Sequence, residues 1–302
     1  MPFRRPSRRP LPRPLRPGLA LLTATALAGC AGLPEEPVGP LAKETIDAVT
    51  TGNQLVRFNA GQPQRLLSSR PLTGLLPGDT LLGIDYRVAK GQLFGLGASG
   101  QLYRIDTRTA AASPVGTPNA LPKDGVTDWG FDFNPTVDRI RVVNDAGYNL
   151  RLHPETGAIV DGNPNEPGVQ LDGRLAYDGA DVNAGKTPGV VAAGYTYNKD
   201  NDKITTNYAL DGRQGVLVHQ GSKEGVQPVV SPNTGRLYTV GSLGIGAFQR
   251  ATLDISDLSN TAYSAVTAGG TSTWYRIDLT TGRATRIGTV AGAALVGAAI
   301  EP

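Results

Sequence analysis

An internal repeat constrains this chain more than any other feature. Four segments set an arginine in the middle of an alternating apolar run: Leu55-Val56-Arg57-Phe58-Asn59, Leu102-Tyr103-Arg104-Ile105-Asp106, Asn149-Leu150-Arg151-Leu152-His153 and Trp274-Tyr275-Arg276-Ile277-Asp278. Val216-Leu217-Val218-His219-Gln220 is a degenerate fifth copy. A Thr-Gly turn signal follows at 156–157 and 281–282, with Thr109-Ala110 at the same place. Alternation over five residues, closed by a turn, marks a β-strand. A second set keeps phase with the first: Leu82-Gly83-Ile84-Asp85-Tyr86, Trp129-Gly130-Phe131-Asp132-Phe133, Ala193-Gly194-Tyr195-Thr196-Tyr197, Ala251-Thr252-Leu253-Asp254-Ile255 and Val296-Gly297-Ala298-Ala299-Ile300. The spacing between the sets is 19 residues from Asp85 to Arg104 and from Asp132 to Arg151, and 22 from Thr196 to Val218 and from Asp254 to Arg276.

Two more strand-like segments complete each unit. One lies between the pair, at 91–97, 139–144, 203–208, 261–267 and 45–51. The other follows the arginine segment, at 113–117, 158–161, 236–243, 283–290 and 64–69. Four strands in about 45–65 residues is the size of a propeller blade. Four units are continuous, and the fifth takes its first strand from 294–300 and its other three from 45–69. Such complementary ends close a ring and remove its open edges, whereas a solenoid needs capping ends. The expectation is an all-β fold, a β-propeller of five four-stranded blades, with the last blade closed by N- and C-terminal strands. The alternative is six blades, because units three and four are the longest.

The N-terminus reads as an address. Residues 1–17 are rich in Arg and Pro, and Gly18 to Ala28 is apolar but about half the length that spans a bilayer. It closes on Leu27-Ala28-Gly29-Cys30, which resembles the bacterial lipobox, where small residues admit a signal peptidase and the Cys is acylated. Cys30 is the only Cys of the chain and is the expected lipid-attachment site, carrying acyl groups such as palmitate. The expected organisation is a lipoprotein signal peptide at 1–29, a lipid-anchored tether at 30–43 and one propeller domain at 44–302. Ala31, in place of Asp, favours the outer membrane of a two-membrane bacterium.

Composition narrows the function. The formal charge of +3 misleads, since residues 1–29 hold six Arg and no acid; without them 23 basic residues face 26 acidic ones, a net −3. The body therefore lacks the basic surface that a nucleic-acid partner requires. One Cys and two His (His153 and His219) exclude a disulfide framework, a Cys-based zinc cluster and a three-His metal site.

Asp85, Asp132 and Asp254 share one repeat position on three innermost strands, so three carboxylates are expected to meet at the central channel. Two carboxylates astride a glycosidic bond are the equipment of a glycosidase. Three oxygen ligands suit a structural cation. A repeated Asp also serves to bond a neighbouring blade's backbone, and recurrence favours that role, because catalysis needs unlike groups with different pKa values. The arginine repeat is read as a solvated strand face or as pairing between blades, and Trp129 and Trp274 as inter-blade core. Asn198-Lys199-Asp200-Asn201-Asp202 lacks the Gly and the Glu of a calcium loop and is read as a polar turn. Gly95-Leu96-Gly97-Ala98-Ser99-Gly100 spells a dinucleotide motif but opens a strand, not a helix.

The segments Leu81 to Asp85, Trp129-Gly130-Phe131-Asp132-Phe133-Asn134-Pro135, Asp138-Arg139-Ile140-Arg141-Val142-Val143-Asn144 and Asn149-Leu150-Arg151-Leu152 resemble the bacterial family of the domain of unknown function 4394. Tyr263 through Gly282 and Gly288 extend the likeness, which covers about residues 50–300. The resemblance implies a propeller-like exported protein with no assigned activity and supplies no catalytic residues. The functional expectation is a non-catalytic propeller in the cell envelope, bound to the membrane through Cys30, monomeric, with an envelope protein or glycan as ligand. No cofactor is expected beyond a possible channel cation. The alternative is a carbohydrate-active enzyme using two of the three aspartates.

Overall fold

The computed structural model describes residues 1–3 and 36–302. Cys30, the expected signal peptide after Phe3 and the start of the expected tether lie outside the described residues. The compact body begins at Glu36, and residues 36–43 lie against the blade that closes the ring and against the outer strand, Ala284–Thr289, of the blade before it. There Ala42 N donates to Asn59 Oδ1 (2.8 Å), Gln62 Nε2 to Gly39 O (2.8 Å), and Glu36 pairs with Arg286.

Five small antiparallel sheets make a five-bladed propeller. Blade one is Leu81–Arg87, Gln92–Gly97, Leu102–Asp106 and Ala111–Val115. Blade two is Trp129–Asn134, Arg139–Asn144 and Asn149–Leu152. Blade three is Val190–Tyr195, Asn207–Asp211, Val216–Gln220 and Arg236–Ser242, with Ala176–Tyr177 added in parallel at its outer edge. Blade four runs from Arg250–Ala251 and Asp254–Ile255 through Ala262–Ala268 and Thr271–Ile277 to Ala284–Thr289. Blade five joins Leu295–Ile300 to Thr45–Thr50, Gln54–Asn59 and Leu66–Pro71. The split unit thus closes the circle, with Ile46 opposite Ile300 and Ala48 opposite Ala298.

The turns after the arginine strands explain the Thr-Gly signal. Gly157 and Gly282 sit at φ 71° and 82°, and Ala110 is held at φ 60° in the same place. In each, the residue's N–H donates to the carbonyl four residues earlier, at His153, Asp278 and Asp106. Asp106 and Asp278 also accept backbone N–H bonds inside the turn.

Three details differ from the sequence expectation. Blade two has three strands, because its expected fourth, 158–161, reduces to one bridge between Leu152 and Ile159 before the chain leaves. Blade four's innermost strand is broken in two, as the Thr252 hydroxyl takes the Ala265 N–H (3.0 Å). Blade three's first two strands are Val190–Tyr195 and Asn207–Asp211, not 193–197 and 203–208. Matching Gly194-Tyr195-Thr196-Tyr197 to Gly130-Phe131-Asp132-Phe133 slips the strand by two residues. A period-two pattern is blind to that slip, since it keeps every side chain on its face.

The apolar core is divided among the gaps between blades. Phe94, Leu96, Phe131 and Phe133 fill the gap between blades one and two; Val143, Val190 and Ala193 lie between two and three. Trp274 is buried between blades four and five, edge-on to Phe58 at 5.2 Å, and its indole N–H donates to Ala60 O. Trp129 joins the core between blades one and two, so neither tryptophan is a sugar platform.

Around the axis, glycine lets the innermost strands approach. A Cβ on Gly130 would stand 2.8 Å from Ala192 C and Ala193 N, and one on Gly297 2.8 Å from Ile84 N. These neighbours are backbone atoms locked in the ring. Gly130→Ala is expected to cost about 2–3 kcal/mol by overpacking. Gly179→Ala, with nothing within 4 Å, is the neutral control in the same urea titration. Equal midpoints for the two variants would show that the strand contact at Gly130 is not tight.

Candidate functional site

The three aspartates do converge. Asp85, Asp132 and Asp254 each bring a carboxylate oxygen within 4.8 Å of the others, and all three are buried, at 3%, 3% and 8% exposure. Each also reaches the next blade around the ring. Phe133 N donates to Asp85 (2.7 Å), Tyr195 N to Asp132 (2.8 Å) and Ile300 N to Asp254 (2.5 Å). Each acceptor thus bonds the residue just past the aspartate position of its neighbour. By this rule Gly194, not Thr196, fills the aspartate position of blade three, and Ala299 fills it in blade five.

Strand pairing carries the same level outward through every blade. The rungs are Asp85–Phe94–Arg104, Asp132–Arg141–Arg151, Gly194–Tyr208–His219, Asp254–Tyr263–Arg276 and Ala299–Asp47–Arg57. His219, rather than Val218, therefore occupies the arginine position of blade three.

Electrostatics follow from this geometry. Burial first, then the charge of Asp254, drives Asp85 well above the ordinary carboxylate range. Burial, then Asp85 and Asp254, does the same to Asp132. Asp254 is pushed up to about 7 by burial, against the opposing backbone N–H bonds of Ile300 and Ile255. Tyr197 stands beside the cluster, and burial together with the three aspartates and Asp257 drives its phenol up. Protonation is the direct way for this group to shed its mutual repulsion. Three oxygens so close would also meet the first requirement of a hard cation.

Below the cluster the channel is shut. The glycine level, lined by Gly83, Gly130, Ala192, Leu253 and Gly297, encloses about 10 Å³, the room of about one water. Beyond it Asp128 crosses the axis, accepting from Ala251 N (3.1 Å) and pairing with Arg250 (3.4 Å). Burial pushes Asp128 to about 7 as well. Sequence reading missed Asp128; the available signal was a carboxylate directly preceding an innermost strand.

The other singled-out groups scatter. Arg57 pairs with Asp47 and Glu301, and Arg151 with Asp172, while Arg104 and Arg276 are exposed, so the arginines form no ring. Asn198 Oδ1 accepts from Asp200 N and Asn201 N, as a polar turn requires. His219 stacks on Tyr238 at 5.1 Å, and His153 serves a turn.

A family model described as a domain of unknown function (DUF4394) matches residues 54–299. No curated protein matches the sequence. Among solved structures, the chain is similar to an auxiliary nutrient binding protein from Bacteroides thetaiotaomicron VPI-5482, with 16% identity, TM-score 0.39, and 72% of this chain and 55% of that one covered. It is similar to a structural genomics protein of unknown function from the same organism, with 14% identity, TM-score 0.44, and 82% and 62% covered. It is also similar to the hydrazine synthase of Kuenenia stuttgartiensis, with 12% identity, TM-score 0.36, and 74% and 53% covered. The chain spans less than two thirds of the length of each.

Proposed function

We propose a binding rather than a catalytic role for this chain, which belongs to the DUF4394 family, a domain of unknown function. In this reading it is a lipid-anchored protein of the bacterial cell envelope whose propeller holds a ligand or partner protein. The observation that carries it is the state of the three aspartates. They are a converging group of three carboxylates among the described residues, yet they are sealed and bonded to neighbouring backbone. A glycosidase needs two carboxylates on either side of a sugar ring, one of them beside water, and a sealed cluster offers neither. The lipobox at Leu27-Ala28-Gly29-Cys30 supports the anchor.

Two measurements test the reading. Cys30→Ser is expected to abolish palmitate labelling and move the protein from the membrane to the soluble fraction. Continued membrane association of that variant would remove the acyl anchor. A panel of polysaccharides is expected to show no turnover. Turnover that disappears in Asp85→Asn or Asp132→Asn, with the melting temperature kept, would replace the binding role with a glycosidase.

A further inference from the structure

We propose that a cavity between blades two and three binds a small organic oxyanion, a carboxylate or a phosphate ester, through Arg139, Arg141 and Arg151. This deepens the binding role by naming a ligand class, and it does not depend on the anchor.

The cavity measures about 370 Å³, within the range of small-molecule sites. Strand geometry assembles its charge. Arg139 and Arg141 are two apart on one strand and share a face, and Arg151 is the cross-strand neighbour of Arg141. One acid, Asp172, answers the three guanidinium groups. It accepts from Arg141 Nη1 (2.5 Å) and from Arg151 Nε and Nη2 (both 2.8 Å). The nearby Asp138 is taken by Arg87 of blade one. Two positive charges therefore remain uncompensated among the described residues.

The donors are held ready. Arg141 is buried at 1% exposure and fixed by Asn149 Oδ1 (2.8 Å), Asn233 Oδ1 (2.6 Å) and the Tyr195 hydroxyl (3.2 Å). Tyr195 accepts from Arg141, which frees its own proton for a ligand. Arg151 spends Nε and Nη2 on Asp172, leaving Nη1 to the cavity. Arg139 bonds only the carbonyls of Val137 and Asp138, through Nη1, and makes no ion pair among the described residues. Val137, Val160 and Pro232 supply apolar wall for the body of a ligand.

Structural need does not account for so much charge. The equivalent contact between blades one and two is Phe94 against Phe133, at 5.3 Å. One carboxylate balances one guanidinium; a second and third around a partly buried pocket repel one another unless an anion joins them. Planar guanidinium forks match the two oxygens of a carboxylate or phosphate.

The test is calorimetric titration of the detergent-extracted full chain at low salt with glucuronate, glucose 1-phosphate and neutral glucose. At least one anion is expected to bind with a millimolar or tighter Kd, and glucose is not. Preference between the anions assigns the oxyanion as carboxyl or phosphoryl. Arg139→Gln, which breaks no ion pair, is expected to weaken binding about tenfold or more with the melting temperature unchanged. Failure of both anions at about 10 mM, or equal affinity in Arg139→Gln, overturns the assignment. Equal binding of glucose overturns the anion but keeps a binding propeller, whereas carboxylate-dependent polysaccharide turnover overturns the binding role whatever this pocket holds.

Discussion

A chain ended at Ala294 is expected to lose its cooperative folded state. The deletion removes Leu295–Ile300, the innermost strand of blade five. That strand buries Leu295, Ala299 and Ile300 and supplies the whole inner partner of Thr45–Thr50. It also donates the Ile300 N–H to Asp254. Its loss unpairs one strand edge, empties part of two inter-blade cores and opens the ring between blades four and one. Open, apolar strand edges are templates for aggregation. The lost burial and strand pairing are of the same order as the about 5–15 kcal/mol by which domains are usually stable, so insoluble or non-cooperatively melting protein is the expected result. Circular dichroism melts of the truncated and full chains decide it. A truncated chain that melts cooperatively within a few degrees of the full one would show that the ring does not depend on its closing strand.

The second large effect is a stability that falls as pH rises. Asp254 and Asp128 are pushed to about 7, and Asp85 and Asp132 are held well above the ordinary carboxylate range, while an unfolded chain releases these protons near 3.8. The folded state therefore holds protons that the unfolded state has lost. Their stabilising effect is complete below about pH 4 and is lost as pH climbs from there through about 7. For Asp254 alone, the move from 3.8 to about 7 corresponds to on the order of 4 kcal/mol across that window. Glu155, held down to about 2 by Lys90 and Arg87, acts in the opposite direction but only in stronger acid. Urea midpoints measured in chelator from pH 4.5 to 8.5 are expected to drop steadily. Asp85→Asn with Asp132→Asn, which keeps the acceptor oxygens without the charge, is expected to flatten the slope and to be the more stable protein at pH 8. A flat or rising wild-type profile would refute proton sharing at the channel. Calcium that restores the wild type at pH 8, but not the double variant, would place a cation among the three carboxylates instead.

The repeat was legible because strand burial in a propeller is itself repetitive. Every blade packs one face on the next, so alternating apolar residues recur with the blade, and an aspartate and an arginine mark the two positions together in three units. Blade three broke the reading through symmetry: a two-residue slip preserves the pattern of faces, and only hydrogen bonding from Tyr195 to Asp132 identifies Gly194 as the matching residue. The missing strand of blade two had no signal at all, since 158–161 carries the same apolar letters as a strand that forms. The anion pocket was hidden for a different reason. Arg151 was visible as a repeat element and Arg141 as part of a strand, but Asp172 and Asn233 come from distant loops, and their approach depends on how blades two and three are set around the axis.

The amino-acid sequence by itself determined the all-β class, the five units and the closure of the ring by its two ends. Those properties are written in local period and in the order of the segments. It also marked which aspartates share one position. Tertiary structure alone decided what that position means. Glycine-lined strands draw the blades close enough to seal the three carboxylates, and burial together with mutual repulsion turns them from free acids into proton-holding joints. Between blades two and three the same close packing leaves a gap, lined by one buried and two half-buried guanidinium groups with a single carboxylate, Asp172, paired to two of them.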